Sequence, residues 1–243
     1  MEQRGEREFM KQAASHTRPD PREVPAYGLA EAAYYLGIPV ATLRSWVLGR
    51  DYPVADGTKH FAPIIEIADR KLKRLSFINL IEAHVLTALR REHAIHLPKV
   101  RKAVAYLRTQ FQSPHPLADQ QFETDNLDLF VKKYGQLINI TQEGQLAMLS
   151  VLQSFLKRIR RDAQGMPTKL YLFTRRGEIG EPLAVVVDPT VSFGRPVLEG
   201  TGIPTAILAE RFKAGDSPEV LADDYGRPKE EIEEAIRYEL KAA

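Results

Sequence analysis

Glycines and prolines divide the C-terminal part of the chain, from Phe193 to Leu240, into short segments that must fold as brief helices joined by tight turns. Residues 205–214 have a helical pattern that ends at Gly215. Ser217 is suited to cap the next helix and Gly226 to end it, and residues 227–240 form a third, acidic helix. The pattern predicts a compact helix-turn-helix unit with these side chains in its core: Ile207, Leu208, Phe212, Val220, Leu221, Tyr225, Ile232, Ala235, Ile236 and Leu240.

A second helix-turn-helix pattern lies near the start of the chain, in YGLAEAAYYLGIPVATLRSWVLGR. The turn is formed by Gly37, Ile38 and Pro39. Helical spacing places these residues in the core: Leu29, Ala33, Leu36, Val40, Leu43, Trp46 and Val47. The segment resembles the head of a MerR-like winged helix-turn-helix, in which TLR and an aromatic residue follow the glycine turn. The alternative is an ordinary helical hairpin with scattered surface charge.

The MerR-like resemblance implies that the second helix of this motif enters the DNA major groove. Thr42, Arg44 and Ser45, with Ala41, lie on the helix face opposite the apolar residues, so they are the candidate base or phosphate contacts. Arg50, Lys59 and His60 flank a turn that contains Gly57. That turn is predicted to form a wing that contacts backbone phosphates.

The C-terminal stretch carries a second resemblance, through GRPVLEGTGIPT, a helix, AGDSPEVLADDYG and an acidic helix. This order resembles a bacterial family grouped with VapB-type antitoxins, whose members are commonly encoded beside a PIN-like nuclease toxin. LSFINLIEAHVLTALR followed by VRKAV is similar to the longer members. The resemblance implies an antitoxin that binds operator DNA, represses its own operon and neutralises a PIN-like ribonuclease. A stand-alone MerR-like regulator without a toxin partner is the alternative.

Charge is distributed unevenly along the chain. Residues 63–112 carry 10 Lys or Arg against 4 Asp or Glu, whereas residues 189–243 carry 7 against 11. The acidic third helix would be repelled by phosphates, so DNA contacts of the C-terminal unit are predicted at the loop and helix starts. The candidates are Arg195, Thr201, Thr205, Arg227 and Lys229. The N-terminal module is therefore expected to contribute more of the DNA affinity.

Between the two motifs, Ser76 is predicted to cap a helix over about 77–92, and a second helix follows Pro98. The apolar face from Leu80 to Leu89 is a candidate interface for a homodimer that reads paired half-sites. A basic cluster accompanies these helices, and it marks either a nucleic-acid surface or an ordinary solvated face. Its members are Arg70, Lys71, Lys73, Arg74, Arg101, Lys102 and Arg108.

The segments FETD, NLDLFVKK and QLINIT alternate in polarity and predict a β-meander, followed by a helix over about 144–163. Two later strands, LYLFTR and LAVVVD, are expected to join that meander. An arginine that plugs the carboxylate-rich site of a toxin would pair with it in a bidentate fork. The candidates for toxin binding are the arginines of this middle region: Arg158, Arg160, Arg161, Arg175 and Arg176.

Several function classes lack support in the residues. The chain has no cysteine, and His84, His93 and His96 lack the spacing of a zinc site, so no metal site and no cofactor are expected. No catalytic motif is present, although an enzyme using Asp119, Glu123, Asp125 and Asp128 is a third alternative. Without a signal peptide or a long apolar run, the protein is expected in the cytoplasm, with no membrane contact.

These patterns predict a mainly helical α+β fold, in which two helix-turn-helix domains flank a small mixed α+β middle domain. The expected divisions are a disordered tail (1–25), a MerR-like helix-turn-helix with its helical hairpin (26–112), the middle domain (113–188) and the C-terminal antitoxin-type domain (189–243).

Overall fold

A computed structural model of the chain describes residues 19–54, 57–91, 97–124, 127–138, 141–175 and 182–240. Helices predominate over these ranges, and the strands form small antiparallel sheets. The fold is mainly helical α+β, as the sequence predicts. Most of the predicted N-terminal tail lies outside the described residues.

The first helix-turn-helix lies between a short strand and a β-hairpin. Its elements are β1 (Tyr27–Gly28), α1 (Leu29–Leu36), α2 (Val40–Val47), β2 (Arg50–Val54), β3 (Gly57–Phe61) and β4 (Arg74–Leu75). β1 pairs with β4, and β2 pairs with β3 in the hairpin predicted as the wing. Gly37 has a φ of 63° and its N–H bonds to the Ala33 and Tyr34 carbonyls, so the turn requires the left-handed conformation that glycine adopts readily.

Helix α3 (Phe77–Arg91) lies at the centre of the core, and α4 (Leu97–Phe111) follows it. Ser76 caps α3 as predicted, because its hydroxyl accepts the Asn79 N–H over 3.2 Å. Every side chain from Phe77 to Leu86 is buried, so the helix has packing partners around its whole circumference. The predicted dimer interface from Leu80 to Leu89 is therefore wrong, because the core of the chain itself already covers this face.

Helices replace the predicted β-meander. The elements are α5 (Gln120–Thr124), α6 (Leu127–Ile138) and α7 (Gln142–Leu156). Leu127, Phe130 and Val131 are buried together, which is the i, i+3, i+4 spacing of a helix face. The same residues also alternate in polarity over a few positions. The prediction of strands was wrong because a short apolar pattern fits the period of a strand as well as that of a helix. Packing against the core favours the helix here.

A four-stranded antiparallel sheet follows, in the order β5 (Ile159–Arg161), β6 (Pro167–Tyr171), β7 (Val185–Val187) and β8 (Val197–Leu198). β6 and β7 coincide in part with the two predicted late strands, but they join this sheet and no meander. The predicted helix over 144–163 ends early, at Leu156, and Ile159 begins a strand. β8 comes from beyond residue 188, so residues on both sides of the predicted domain boundary share one sheet.

The C-terminal unit contains α8 (Thr205–Lys213), α9 (Pro218–Tyr225) and α10 (Lys229–Leu240). Ser217 caps α9 as predicted, and Gly226 ends it at a φ of 61°. Leu208, Leu221, Ile232, Ala235 and Ile236 are buried, in agreement with the predicted core. Three predicted core residues are instead open to solvent: Ile207 (43% exposed), Phe212 (36%) and Val220 (47%). Helical spacing predicted an apolar face that is wider than the face that neighbouring elements bury.

The two helix-turn-helix units contact each other directly. The ring of Tyr34 in α1 lies 5.7 Å from that of Tyr238 in α10, in an edge-to-face arrangement. The Tyr34 hydroxyl donates to the Glu239 carboxylate over 2.6 Å, and the Thr205 hydroxyl donates to the other oxygen of that carboxylate. Buried residues from Tyr27 to Tyr238 consequently belong to one continuous apolar cluster.

A buried arginine joins the sheet to α3. Arg158 is only 4% exposed; its guanidinium lies 4.0 Å from the Phe173 ring centroid and donates to the Leu172 carbonyl over 2.9 Å. His84 of α3 also stacks on the Phe173 ring, and its imidazole bonds to the Phe155 carbonyl. Burial lowers the pKa of His84 to about 4, so the imidazole is neutral at neutral pH.

Adjacent arginines provide a matched test of this packing. Arg158→Met should lower the free energy of unfolding by about 2 kcal/mol or more, because the Leu172 carbonyl loses a buried donor and Phe173 loses its cation. Arg160→Met, at an exposed position of β5, should change it by less than about 0.5 kcal/mol. Urea unfolding followed by far-UV circular dichroism measures both. Equal losses in the two variants would contradict the structural role of Arg158.

Candidate nucleic-acid interface

Helix α2 presents part of the predicted contact face to solvent. Arg44 and Ala41 are exposed, and Thr42 is half-buried. Ser45 is buried, and its hydroxyl donates to the Thr42 carbonyl over 2.8 Å, so the prediction that Ser45 is free to contact DNA is wrong. Val40, predicted to face the core, is 43% exposed at the first turn. The open face of α2 is therefore centred on Arg44.

The wing hairpin is held in place by a stack of planar groups. Tyr52 of β2 stacks on Phe61 of β3 with ring centroids 4.1 Å apart, and the Arg101 guanidinium of α4 lies 4.5 Å from the Phe61 centroid. Arg101 Nε also donates to the Ala62 carbonyl over 2.7 Å. Because these contacts fix the hairpin against α4, its outer residues have a defined position next to α2.

The predicted wing residues are all exposed. Arg50, Lys59 and His60 project from the two strands, and His60 Nδ1 lies 2.7 Å from the Asp51 carboxylate. The end of α2 is attached to the segment after the hairpin, since the N–H groups of Ile64 and Ile65 both bond to the Trp46 carbonyl. Trp46 itself is a core residue, as predicted.

A basic loop adjoins this unit. It lies between the segment that follows the wing and β4, the strand that pairs with β1. Asp69 and Arg74 bond to each other through both backbone groups, which closes a hairpin with Arg70, Lys71 and Lys73 at its exposed tip. Three other members of the predicted basic cluster have intramolecular partners. Arg74 donates to the Ala26 carbonyl, Arg101 to the Ala62 carbonyl, and Arg108 pairs with Glu66 at 3.4 Å. The tip cations and the exposed Lys102 are thus the part of the cluster available to an anionic partner.

The cations of the C-terminal unit are mostly neutralised within the chain. Arg227 pairs with Glu231 and donates to the Glu199 carbonyl, and Lys229 pairs with Glu219 at 2.6 Å. The Lys229 contact lowers the pKa of Glu219 to about 2.

The remaining C-terminal candidates differ in exposure. Thr205 is fully buried, and the Thr201 hydroxyl donates to the Leu198 carbonyl over 2.8 Å. The prediction of Thr205 as a DNA contact is therefore wrong, because its hydroxyl holds α8 to Glu239 and cannot reach a phosphate. Arg195 is exposed.

The arginines predicted to bind a toxin are not one surface. Contrary to prediction, Arg158 is buried and only 8% of the Arg161 side chain is exposed. Arg161 pairs with Glu123 at 3.1 Å and donates to the Ala118 carbonyl. Arg160 is exposed and lies 5.5 Å from the Tyr171 ring centroid. Arg175 is partly exposed and pairs at 2.8 Å with Glu234. Arg176 lies outside the described residues.

One acidic residue of α10 has a structural role that sequence reasoning missed. Glu234, predicted to face solvent, is only 4% exposed and accepts bonds from Thr174, Arg175 and Arg237. These partners lower its pKa despite its burial. The sequence does contain a signal for this role, because Glu234 lies one turn before Tyr238 and therefore on the same buried face of α10. A charged side chain on a buried face needs a partner within the protein.

The described residues contain no constellation for binding a metal ion. No group of three His, Asp or Glu side chains is close enough there to hold a metal ion. His84 is engaged with Phe155, while His93, His96 and Asp125 lie outside the described ranges. No helix within those ranges is long and apolar enough to span a membrane.

Two family models match separate parts of the chain. Residues 25–104 match the family described as "Putative DNA-binding HTH domain", and residues 185–238 match "Protein of unknown function (DUF433)". The helix-turn-helix and wing described above lie within the first match. It includes Arg44, Arg50, Lys59, His60 and the basic tip.

Relatives from Mycobacterium tuberculosis (strain ATCC 25618 / H37Rv) cover most of the chain. "Putative antitoxin VapB45" is 29% identical over 231 residues, which is 88% of this chain and 93% of the relative. "Uncharacterized protein Rv2308" is 24% identical over 234 residues, 90% of this chain and 91% of the relative. The crystal structure of Rv2018 from M. tuberculosis has the same fold, with a TM-score of 0.63 and 24% identity over 88% of this chain and 98% of that one. The chain is thus similar along nearly its whole length to a protein named as an antitoxin.

Proposed function

We propose that this protein is a DNA-binding antitoxin that represses its own operon and neutralises a PIN-like ribonuclease. One observation carries the DNA-binding part: Arg44, Arg50 and Lys59 are exposed and have no ion pair with another described residue, whereas Arg227 and Lys229 are paired. The match of residues 25–104 and the name of the antitoxin relative support the rest.

In this proposal α2 enters the major groove in the manner of a MerR-like module. Arg44, with Thr42 beside it, reads a base edge or a phosphate, and the wing places Arg50, Lys59 and His60 against the backbone. Arg195 is the exposed C-terminal candidate for an additional phosphate contact. Arg227 and Lys229 would have to leave their carboxylate partners before contacting DNA, which lowers their contribution.

Arg44→Ala should weaken binding to DNA from the protein's own upstream region by about 5- to 150-fold, corresponding to about 1–3 kcal/mol. Lys213→Ala removes an exposed cation from α8 and should leave that affinity unchanged. Mobility-shift titrations at several salt concentrations measure both, and affinity should fall steeply as salt rises. Retardation that ignores sequence, or equal losses in the two variants, would count against the proposal.

Fewer arginines are candidates for toxin binding than the sequence alone indicated. Arg158 and Arg161 are committed to internal contacts, which leaves Arg160, Arg175 and Arg176 as the candidates. A guanidinium in this group would pair with the metal-binding carboxylates of the nuclease. Arg175 already has such a partner in Glu234, so its transfer to a toxin would be an exchange of one carboxylate for another.

Co-expression with the product of the adjoining gene should give a complex that co-purifies with this chain. Replacement of Arg160 and Arg176 together by Gln should lower the amount of captured nuclease and release its ribonuclease activity. Lys157→Gln, an exposed cation at the end of α7, provides the control. Failure of the wild-type pair to co-purify would remove the toxin from the proposal, and full capture by the double variant would remove only this surface.

Homodimer formation is proposed through the C-terminal unit. A groove of about 420 Å³ is lined there by Phe212, Pro218, Ile236 and Leu240. Phe212, Pro218 and Leu240 are exposed or partly exposed, and apolar side chains of this kind are suited to a two-fold contact that spaces two α2 helices on the DNA.

Phe212→Glu should shift the protein from dimer to monomer in sedimentation equilibrium, because a carboxylate would be buried in the contact. Lys213→Glu is the control, because it introduces the same carboxylate at the neighbouring exposed residue, which does not line the groove. A wild-type chain that sediments as a monomer at high concentration would contradict the dimer. A dimer that persists in Phe212→Glu would place the contact elsewhere.

A further inference from the structure

A cavity of about 780 Å³ lies between the N-terminal helix-turn-helix and the core. Its walls are mainly apolar and come from α1, the glycine turn and α2, together with α3, α7 and the segment that follows β6. Among the residues that line it are Ala33, Leu36, Ile38, Trp46, Phe155 and Phe173. The volume is that of a site for a small organic molecule.

Two nitrogen donors at this cavity have no acceptor among the described residues. Trp46 is 1% exposed, and its Nε1–H is buried without a hydrogen bond. Arg90 Nε is likewise buried without a hydrogen bond, and the Arg90 guanidinium lies 5.8 Å from the Trp46 ring centroid. Both residues line the cavity. An unsatisfied buried donor costs about 1–3 kcal/mol, so an acceptor placed here would be bound favourably.

Charge selects the kind of acceptor. Among the described residues, the Arg90 guanidinium lies over the Trp46 ring, and no carboxylate there pairs with it. Thr87 also lines the cavity, but its hydroxyl is committed to the Ala83 carbonyl. The other cation at the wall, Arg175, has Glu234 as its partner. Arg90 is therefore the positive group that an anion in this cavity would meet.

We propose that this cavity binds a small organic carboxylate with an aromatic or branched apolar body. The apolar part would contact Leu36, Ile38 and the rings of Phe155 and Phe173, and the carboxylate would accept from Arg90 and from Trp46 Nε1. The site also includes Gly37, Pro39 and Thr42, so a ligand would touch the inner side of the turn and of α2. Binding of the ligand to this cavity does not depend on the proposed DNA-binding function. An effect of the ligand on the affinity for operator DNA would depend on that function.

Trp46 is the single tryptophan of the chain, so its fluorescence reports directly on this cavity. The probes are 4-phenylbutyrate and its neutral counterpart 4-phenylbutan-1-ol, titrated into the full-length protein. The carboxylate should change Trp46 emission in a saturable way at concentrations below about 10 mM. Arg90→Gln should weaken the carboxylate about 10-fold or more while changing the affinity of the alcohol less than about 2-fold. Lys213→Gln should change neither.

A second variant tests the location. Ala30 is exposed at the edge of the cavity, so Ala30→Phe should fold normally and should weaken both probes by obstructing the space. Circular dichroism and the thermal midpoint establish that each variant is folded. The proposal is overturned if the wild-type protein gives no saturable change. It is also overturned if Arg90→Gln weakens acid and alcohol equally, or if Ala30→Phe binds both probes like the wild type.

Discussion

The burial of α3 around its whole circumference from Phe77 to Leu86 is the constraint on which the rest of the structure depends. A helix buried around its circumference can keep polar side chains only if each finds a partner inside the protein. Asn79 meets this requirement by accepting the N–H groups of Ala68 and Ser76 and donating to the Glu66 carbonyl. Glu82 meets it through Asn79 and through His115, whose pKa it raises. The segment before α3 and the loop that contains His115 are therefore fixed by the helix they contact.

This constraint also explains how far the sequence could predict the fold. Helix ends were predicted correctly where the signal is local: the Ser76 and Ser217 hydroxyls cap their own helices, and Gly226 ends α9 by its own conformation. The buried faces of the helices were predicted correctly only in part. Ile207 and Val220 have helical spacing but no element covers them, whereas NLDLFVKK became a helix because the core offered a place for Leu127 and Phe130. Local chemistry determines boundaries, and packing determines which side is inside.

The same distinction applies to the charged residues. Arg227 with Glu231 and Lys229 with Glu233 are i, i+4 pairs, so their neutralisation was visible in the sequence. Arg158 and Arg161 could not be judged in this way, because the groups that hold them include Leu172, Glu123 and Ala118, which no spacing rule connects to them. A segment rich in arginine thus divides into residues that build the sheet and residues that remain free for a partner.

The contact of Tyr34 with Tyr238 and Glu239 has an evolutionary consequence. Two helical motifs joined by a flexible linker can be exchanged between genes as independent units. Here each motif completes the surface of the other, and Glu239 accepts hydrogen bonds from both α1 and α8. A recombined gene that imports only one motif would leave a tyrosine hydroxyl or a carboxylate unpaired at the junction. The two ends of the chain are therefore expected to be inherited together, with substitutions at Tyr34 accompanied by substitutions at Glu239.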